Sequence, residues 1–319
     1  MGSRVAFITG IDGMDGSYLS ELLLERGYEV HGMVRRTALY PESLRNIKHI
    51  RDKLHLHFGD LQNENHISAL IYEIKPDEIY NLASQSDVRV SFDIPEYTGD
   101  VTGLGVTRLL EAVRKFSPRS KLYQASSSEM FGTSAPPQNE NGPFRPRNPY
   151  AAAKLYAHHM CQIYRDAYSL FIACGILFNH ESPRRGENFV TRKIVKAACE
   201  IARGERKELF LGNLEAKRDW GYAPDYVKAM WMMLQQEKPD DFVIGTGEVH
   251  TVKEFVEEAF RFVGLDWEKY VKADPNLYRP TETFYLHADT RKAEAELGWR
   301  PTVRFKELVK IMVEAEMRR

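Results

Sequence analysis

The residues of this sequence best suited to chemistry follow a predicted strand and begin a predicted helix. Residues 121–125 form a short apolar run that predicts a buried strand, and three serines and Glu129 follow it directly. Tyr150 and Lys154 lie four residues apart in a helical pattern, so both face one side of that helix. If the strand end meets this helix, Ser127, Glu129, Tyr150 and Lys154 share one cleft.

This set of side chains suits redox chemistry at a carbon that bears a hydroxyl group. A tyrosine phenol has a pKa of about 10 in water, and an ammonium group one helical turn away is expected to lower it. The Tyr150 phenolate would take the hydroxyl proton while hydride leaves the carbon, and Ser127 would hydrogen-bond to the same oxygen. A simple dehydrogenase does not need Glu129, so this carboxylate predicts a second proton transfer.

The composition is that of an ordinary globular protein of one large domain or two small ones. The net charge of −1 provides no basic field, so neither nucleic acid nor a membrane is an expected partner. The three isolated cysteines, Cys161, Cys174 and Cys199, lack metal-ligand spacing, and neither a metal site nor a disulfide scaffold is predicted. Without a signal-peptide pattern or a run of about 18 apolar residues, the sequence predicts a cytoplasmic protein.

A glycine-rich turn joins the first predicted strand, residues 4–9, to the first predicted helix, which continues to about residue 26. Glycines in such a turn let the backbone approach a pyrophosphate, whose charge the helix N-terminus attracts. The predicted cofactor-binding residues of this turn are Gly10, Ile11, Asp12, Gly13, Met14, Asp15 and Gly16. Because a predicted strand precedes the GxxGxxG motif and a predicted helix follows it, the motif predicts a dinucleotide-binding site.

The second predicted strand, residues 29–34, ends at two arginines, Arg35 and Arg36. An NAD-binding protein usually carries an acid here for the ribose 2′-hydroxyl. Two guanidinium groups instead attract a 2′-phosphate, so the sequence predicts NADP as the cofactor.

The next two predicted strands, residues 54–58 and 78–82, also end in candidate cofactor contacts. The first is followed by Asp60 and Leu61, and an acid at this position can receive the adenine amino group. The second is followed by mostly small residues, beside which a cofactor can lie closely: Leu82, Ala83, Ser84, Gln85 and Ser86.

The alternation of strands and helices predicts an α/β fold: a Rossmann-type doubly wound parallel sheet with a smaller, mostly C-terminal substrate-binding α/β domain. Residues 1–177 are the predicted cofactor-binding domain, and residues 223–246 return to it. Residues 178–222 and 247–319 form the predicted second domain. This second part carries scattered cations that suit an anionic ligand, although each alone is more often a solvated charge: Arg184, Arg185, Lys193, Arg218 and Arg279.

Longer stretches resemble the GDP-mannose 4,6-dehydratase family of the extended short-chain dehydrogenase/reductases, which act on nucleotide sugars. The matching stretches are residues 15–19, 80–86, 124–132, 177–186, 189–194, 211–214, 218–221, 279–282 and 297–299. They span essentially the whole chain, and NHESPRRG at 179–186 and RDWG at 218–221 are far more specific than the glycines.

The resemblance implies a lyase of nucleotide-sugar metabolism, in deoxyhexose biosynthesis, that runs an internal redox cycle on bound NADP. Tyr150, assisted by Lys154 and Ser127, would take the 4-hydroxyl proton while hydride passes from C4 to NADP. Glu129 would remove the C5 proton and protonate the leaving 6-hydroxyl. Hydride would then return to C6. By the same resemblance, Tyr97, His180 and Arg185, together with Lys154, contact the cofactor. The implied contacts to the GDP-sugar, besides Ser127, Glu129 and Tyr150, are Ser86, Asn179, Val190, Lys193, Arg218, Arg279 and Glu282.

Two departures from the family pattern bear on these expectations. Ser127 stands where the family often has Thr, and the hydroxyl is kept. The resemblance implies a homotetramer, in which a family loop reaches a neighbouring subunit. Residues 37–43 differ from that loop, so a homodimer is the alternative expectation.

Other functions remain open at this stage. A 4-epimerase of the same superfamily eliminates no water and would not need Glu129, and a 4-keto-6-deoxymannose reductase would consume NADPH. A dTDP-glucose dehydratase pattern has an acid where this chain has Ser128. A non-catalytic NADP-binding regulator is disfavoured by the four intact catalytic residues. The preference for guanine rests on the resemblance alone.

Overall fold

A sheet of seven parallel strands lies at the centre of the computed structural model, which describes residues 2–37, 40–278, 280–281 and 285–319. The strands, in chain order, are β1 (Val5–Thr9), β2 (Glu29–Val34), β3 (His55–Phe58), β4 (Glu78–Asn81), β5 (Lys121–Ser127), β6 (Ile172–Leu177), β7 (Asn179–Glu181), β8 (Leu209–Leu211), β9 (Lys217–Arg218), β10 (Trp220–Tyr222), β11 (Asp241–Ile244), β12 (His250–Thr251) and β13 (Val271–Ala273). The large sheet has the order β11-β6-β5-β4-β1-β2-β3. Its direction of winding reverses between β1 and β4, and ligands of such sheets bind at the carboxyl ends beside that reversal.

Helices cover both faces of this sheet, as a doubly wound fold requires. The helices are α1 (Met14–Glu25), α2 (Glu64–Ile74), α3 (Val88–Asp93), α4 (Pro95–Gly99), α5 (Gly105–Phe116), α6 (Pro149–Tyr168), α7 (Val190–Ala202), α8 (Ala223–Leu234), α9 (Val252–Phe262) and α10 (Phe305–Met317). Successive residues of a strand point to opposite faces, and β1 follows this rule. Ile8 packs in the core that includes Leu19 of α1 and Met230 of α8, whereas Phe7 packs in the core that includes Leu109 of α5 and Cys161 of α6.

The C-terminal region has an apolar core of its own. Helices α7, α9 and α10 enclose it, and Trp220 packs against the rings of Phe255 and Phe305. Three small strand pairs, β7–β10, β9–β12 and β8–β13, lie outside the large sheet. Strand β11 pairs with β6, so the chain returns to the large sheet as the sequence predicts. The exact domain boundaries remain a prediction.

Side chains cap several of the helices. Asn63 caps α2 by accepting a hydrogen bond from the His66 backbone, and Thr251 with Glu254 forms a capping box at the start of α9. Helix α5 is preceded by a π-helical segment, Asp100–Leu104. At Gly103 a Cβ atom would lie only 3.3 Å from the Tyr156 ring, so α6 packs close to this irregular segment. Within the described ranges, no helix is both long enough and apolar enough to cross a membrane.

Candidate active site

A cleft of about 870 Å³ opens at the carboxyl ends of the large sheet. Gly13 and Ser127 line it from the sheet side, and Tyr150 lines it from α6. Lys193 and Arg218 line it from the C-terminal region. The two halves predicted from sequence therefore face each other across one cavity, of the size that small-molecule ligands occupy.

The glycine-rich turn leaves the N-terminus of α1 open to this cleft. Gly13 is the N-cap of α1 and no side chain caps the helix, so its first backbone N–H groups are available to a ligand. Gly10 has φ +69°, and a Cβ atom on Gly16 would lie 2.3 Å from the Gly10 carbonyl oxygen. The turn can be this tight only with glycine at these positions, and its geometry fits a bound pyrophosphate.

A buried polar chain fixes the backbone beside that turn. The Thr9 hydroxyl donates to Asn81 Oδ1 at 2.6 Å and accepts hydrogen bonds from the backbone N–H groups of Leu82 and Ala83 at 3.1 Å each. Asn81 in turn donates to Gln124 on β5 at 2.8 Å. These polar residues were not predicted from the sequence, although Thr9 and Asn81 stand at the predicted strand ends, where such side chains meet.

The end of β2 presents the two arginines to solvent, but they have different neighbours. Arg35 lines the cleft and donates to the Tyr97 hydroxyl at 2.5 Å. The Arg36 guanidinium lies 5.5 Å from the centre of the Phe58 ring. The nearby carboxyl group of Asp12 is largely buried, and this burial raises its pKa even though Arg35 opposes the shift. Arg35 is therefore the arginine better placed for a phosphate in the cleft.

Ser127, Tyr150 and Lys154 meet where β5 abuts α6. Tyr150 lies in the first turn of α6, and the nearby Ser127 side chain acts to lower the pKa of its phenol, against the effect of burial. Lys154 lies one turn further on, with Nζ 5.7 Å from the centre of the Tyr150 ring. The same Nζ donates to the carbonyl oxygen of Ala125 at 2.8 Å. The predicted meeting of strand end and helix is thus present in the structure.

The expected lowering of the phenol pKa is wrong for the chain by itself. Burial raises the pKa of Tyr150 to about 12 and outweighs the opposite effect of the Ser127 side chain. Burial also lowers the pKa of Lys154 to about 8. The four-residue spacing of Tyr150 and Lys154 predicted that the two groups are close together, but it did not predict that they are buried. Burial disfavours the charged form of both groups.

Glu129 is held at the same cleft by a residue that the sequence analysis missed. The Asn148 side chain donates to Glu129 Oε2 at 2.9 Å, while its own Oδ1 accepts from the Ala151 backbone N–H at 2.7 Å. Asn148 is therefore both the N-cap of the helix that carries Tyr150 and a hydrogen-bond donor to the second candidate base. The Asn-Pro pair before Tyr150 was the available sequence signal for this cap.

An ion pair links the glycine-rich turn to β7. His180 Nε2 lies 2.8 Å from Asp15 Oδ2, and His180 Nδ1 contacts the Phe178 carbonyl oxygen at 2.8 Å. Burial opposes both charges, but each partner favours the charge of the other. Together with Arg185, His180 lowers the pKa of Asp15, and Asp15 raises the pKa of His180. The acid of the glycine turn is thus neutralised inside the cleft, which reduces its repulsion of a phosphate.

Comparison with known proteins decides the family. A family model described as GDP-mannose 4,6 dehydratase matches residues 7–312. This chain belongs to that family. The similar curated proteins include GDP-mannose 4,6 dehydratase 1 of Arabidopsis thaliana, 53% identical over 98% of this chain and 90% of that protein. GDP-mannose 4,6 dehydratase of Homo sapiens is 50% identical over 98% of this chain and 91% of its own length.

Solved structures of related enzymes share the fold of this family member. The UDP-glucose 4-epimerase of Thermus thermophilus, in complex with NAD, superposes with a TM-score of 0.86 and 26% identity, over 98% of this chain and 99% of that one. The dTDP-glucose 4,6-dehydratase of Bacillus anthracis, also with NAD, gives a TM-score of 0.85 at 23% identity, over 99% and 97% of the two chains. At 23% identity, the likeness to the dTDP-glucose 4,6-dehydratase concerns the fold alone.

Most of the residues predicted from the sequence pattern or from the family resemblance lie together in the cleft. The lining includes the catalytic candidates Ser127, Glu129, Tyr150 and Lys154, the cofactor candidates Gly10, Asp12, Gly13, Met14, Asp15, Gly16, Arg35, Asp60, Leu61, Leu82, Ala83, Ser84, Ser86, His180 and Arg185, and the substrate candidates Asn179, Val190, Lys193 and Arg218. Buried Asn179 Oδ1 has no hydrogen-bond partner among the described residues. The remaining substrate candidates, Arg279 and Glu282, lie outside the described residues.

Four cofactor candidates lie outside the cleft lining. Ile11 is buried beneath Gly32, and Gln85 turns its amide group towards Asp87 and Thr98. Arg36 and Tyr97 lie near the end of β2, in the contacts described above. The assignment of all these residues to the cofactor or the substrate remains a prediction.

Proposed function

We propose that this chain is a GDP-mannose 4,6-dehydratase, a lyase that converts GDP-mannose to GDP-4-keto-6-deoxymannose and water on bound NADP. One observation carries the proposal: a buried carboxylate, Glu129, shares a cleft with Ser127, Tyr150 and Lys154. An epimerase or a reductase needs Ser127, Tyr150 and Lys154 but does not need the carboxylate of Glu129. Elimination of water needs all four groups, and the names of the relatives agree with this function.

The first proton transfer is assigned to Tyr150. Its phenolate takes the proton of the sugar 4-hydroxyl, and Ser127 hydrogen-bonds the same oxygen so that the alkoxide-like charge is stabilised. When bound, NADP supplies the hydride acceptor for C4 and the donor for C6, and its oxidised ring adds a positive charge that favours loss of the phenolic proton. The Lys154 ammonium adds a second positive charge within reach of the Tyr150 ring.

The second proton transfer is assigned to Glu129. The ketone formed at C4 acidifies the C5–H bond, so a carboxylate can remove that proton. The C6–O bond then breaks, and the proton held by Glu129 leaves with the hydroxyl group as water. A proton returns to C5 as C6 is reduced, which leaves a methyl group at C6. Asn148 keeps the carboxylate of Glu129 directed into this part of the cleft.

The proposed selectivity for NADP rests on Arg35, which lines the cleft where β2 ends. Replacement of Arg35 by Ala is expected to weaken NADP binding by about 10- to 100-fold, because a charged hydrogen bond contributes about 1.5–3 kcal/mol. NAD lacks the 2′-phosphate, so its affinity should change little. Calorimetric titration of both cofactors measures the difference, with Arg26→Ala, an exposed arginine over Trp231, as the control. Equal losses for both cofactors would contradict the assignment.

The direct test of the function is turnover of GDP-mannose in deuterated water without added NADPH. The expected product has lost one water and gained one solvent deuteron at C5, as mass spectrometry would show. Turnover of a different nucleotide sugar would keep the mechanism but refute the substrate. No turnover of any nucleotide sugar by the NADP-bound protein would refute the enzymatic function and favour a regulator.

We further propose a cytoplasmic homotetramer or homodimer, as the family resemblance implies. Sedimentation analysis at working concentration tests the assembly, and a monomer would refute both forms.

A further inference from the structure

A cluster of three histidines and a glutamate lies on the first two strands of the sheet edge, β2 and β3. Glu29 and His31 project from one face of β2, and His55 and His57 project from the same face of β3, where His31 is paired in register with His55. None of these four residues lines the cleft. The proposed reaction therefore gives them no role.

The spacing of three of these groups matches a metal coordination sphere. Glu29 Oε1 lies 3.0 Å from His31 Nε2 and 3.6 Å from His55 Nε2, and all three ligand atoms lie within 4.8 Å of one another. Zinc–nitrogen and zinc–oxygen bonds of about 2.0–2.2 Å place neighbouring tetrahedral ligands about 3.3–3.5 Å apart. The observed distances bracket this value, and two imidazoles with one carboxylate are a known zinc donor set.

The fourth residue, His57, is placed to hydrogen-bond to the ring nitrogen of His31 that does not face Glu29. His31 Nδ1 lies 3.0 Å from His57 Nε2. When a metal ion takes Nε2 of His31, the remaining Nδ1–H can donate to His57 Nε2, which fixes the tautomer and the ring orientation of His31.

The ligand atoms of this cluster converge from two strands. Glu29 Oε1 lies 3.0 Å from His31 Nε2, and a carboxylate at this point would complement the charge of a cation. His55 brings a second imidazole to the same point, stacked on His31 with ring centres 4.6 Å apart. A proton shared between His31 and Glu29 would need only those two residues, whereas three converging donors suit a metal ion.

We propose that Glu29, His31 and His55 bind a divalent transition-metal ion such as Zn²⁺, with His57 as the supporting hydrogen-bond acceptor. Imidazole nitrogens select Zn²⁺, Ni²⁺ or Cu²⁺ over Mg²⁺ and Ca²⁺, which prefer oxygen ligands. His55 is 57% exposed and His31 13% exposed, so an ion can enter from solvent and water completes its coordination. The bound ion ties the edge strand β3 to β2. The sequence analysis predicted no metal site, because these ligands lie on two strands more than twenty residues apart.

The test uses the tag-free full-length chain, freed of metal by a chelator and then dialysed. Calorimetric titration with ZnCl₂ is expected to show one strong site per chain, and Zn²⁺ is expected to raise the midpoint of thermal unfolding, because an ion that binds the folded state stabilises it. Cobalt substitution should give the visible absorption of a tetrahedral site. MgCl₂ should produce neither effect.

Two variants make the test specific. His55→Ala removes a half-exposed ligand and should weaken Zn²⁺ binding by at least about tenfold, while NADP binding stays unchanged. His49→Ala is the matched control, because His49 also pairs with a glutamate, Glu21, but belongs to no group of three candidate ligands among the described residues. Absence of Zn²⁺ binding by the native chain would overturn the proposal. Unchanged Zn²⁺ binding by His55→Ala would also overturn the proposal. The candidate site would then be the buried group of His158, Cys174 and Asp241.

Discussion

Replacement of Glu129 by Gln is expected to stop water elimination while oxidation at C4 continues. Glutamine has the shape of glutamate and its carbonyl oxygen can still accept the hydrogen bond that Asn148 donates at 2.9 Å. It cannot remove a proton from C5 at neutral pH. General-base catalysis contributes about 10²- to 10⁴-fold, so formation of the 6-deoxy product should fall by about that factor.

The variant has a second, positive signature. Because hydride leaves C4 but cannot return to C6 without elimination, reduced nicotinamide should accumulate up to one equivalent per site, measurable by its absorbance. Glu187→Gln is the matched control, since Glu187 is half-exposed and pairs with Lys196 at 2.7 Å. Native rates of product formation by Glu129→Gln would contradict the assigned role. So would loss of both the product and the reduced cofactor.

The sheet and its helices were predictable because their signals are local. Each apolar run is followed by a turn and an amphipathic segment, and the chain order then fixes a parallel sheet. The cleft was predictable for the same reason, since Gly13, Ser127 and Asp60 all follow strand ends and such ends meet at one edge. The structure confirms the return of β11 to the sheet.

Features that depend on residues distant in sequence were not predictable from spacing. The contact between Asn148 and Glu129 crosses a loop of 19 positions, and the pair of Asp15 with His180 spans 165. The raised pKa of Tyr150 arises from burial by several elements at once, which no pairwise rule contains.

Short helices escaped the periodicity analysis for a different reason. The segments α3 and α4 contain six and five residues, too few for a helical repeat to appear in a sequence window. They are fixed instead by local signals, namely the Asp87 side chain that accepts two backbone hydrogen bonds at the start of α3 and Pro95 at the start of α4.

Replacement of Tyr150 by Phe is expected to block the reaction one step earlier than the Glu129 variant does. The phenol supplies the base for the 4-hydroxyl, so its removal should lower the rate of C4 oxidation by about 10²- to 10⁴-fold. Reduced nicotinamide should then not accumulate. The variant loses only the phenolic hydroxyl and any hydrogen bond that it makes, at a cost of about 0.5–1.5 kcal/mol, so the chain should fold and still bind NADP. Tyr156→Phe, on the exposed side of the same helix, is the control and should keep native activity.

The pH dependence separates the role of the base from a role in binding. Because burial holds the phenol protonated, with a pKa of about 12 in the chain alone, the phenolate fraction and the native rate of C4 oxidation should rise with pH. The rise should weaken above about 8, where Lys154 loses the charge that supports the phenolate. The residual rate of Tyr150→Phe should lack this rise, as stopped-flow measurement of nicotinamide reduction across pH would show. A parallel rise in the variant would assign the titrating base to another group, whereas its absence, with accumulation confined to Glu129→Gln, would establish that Tyr150 acts before Glu129.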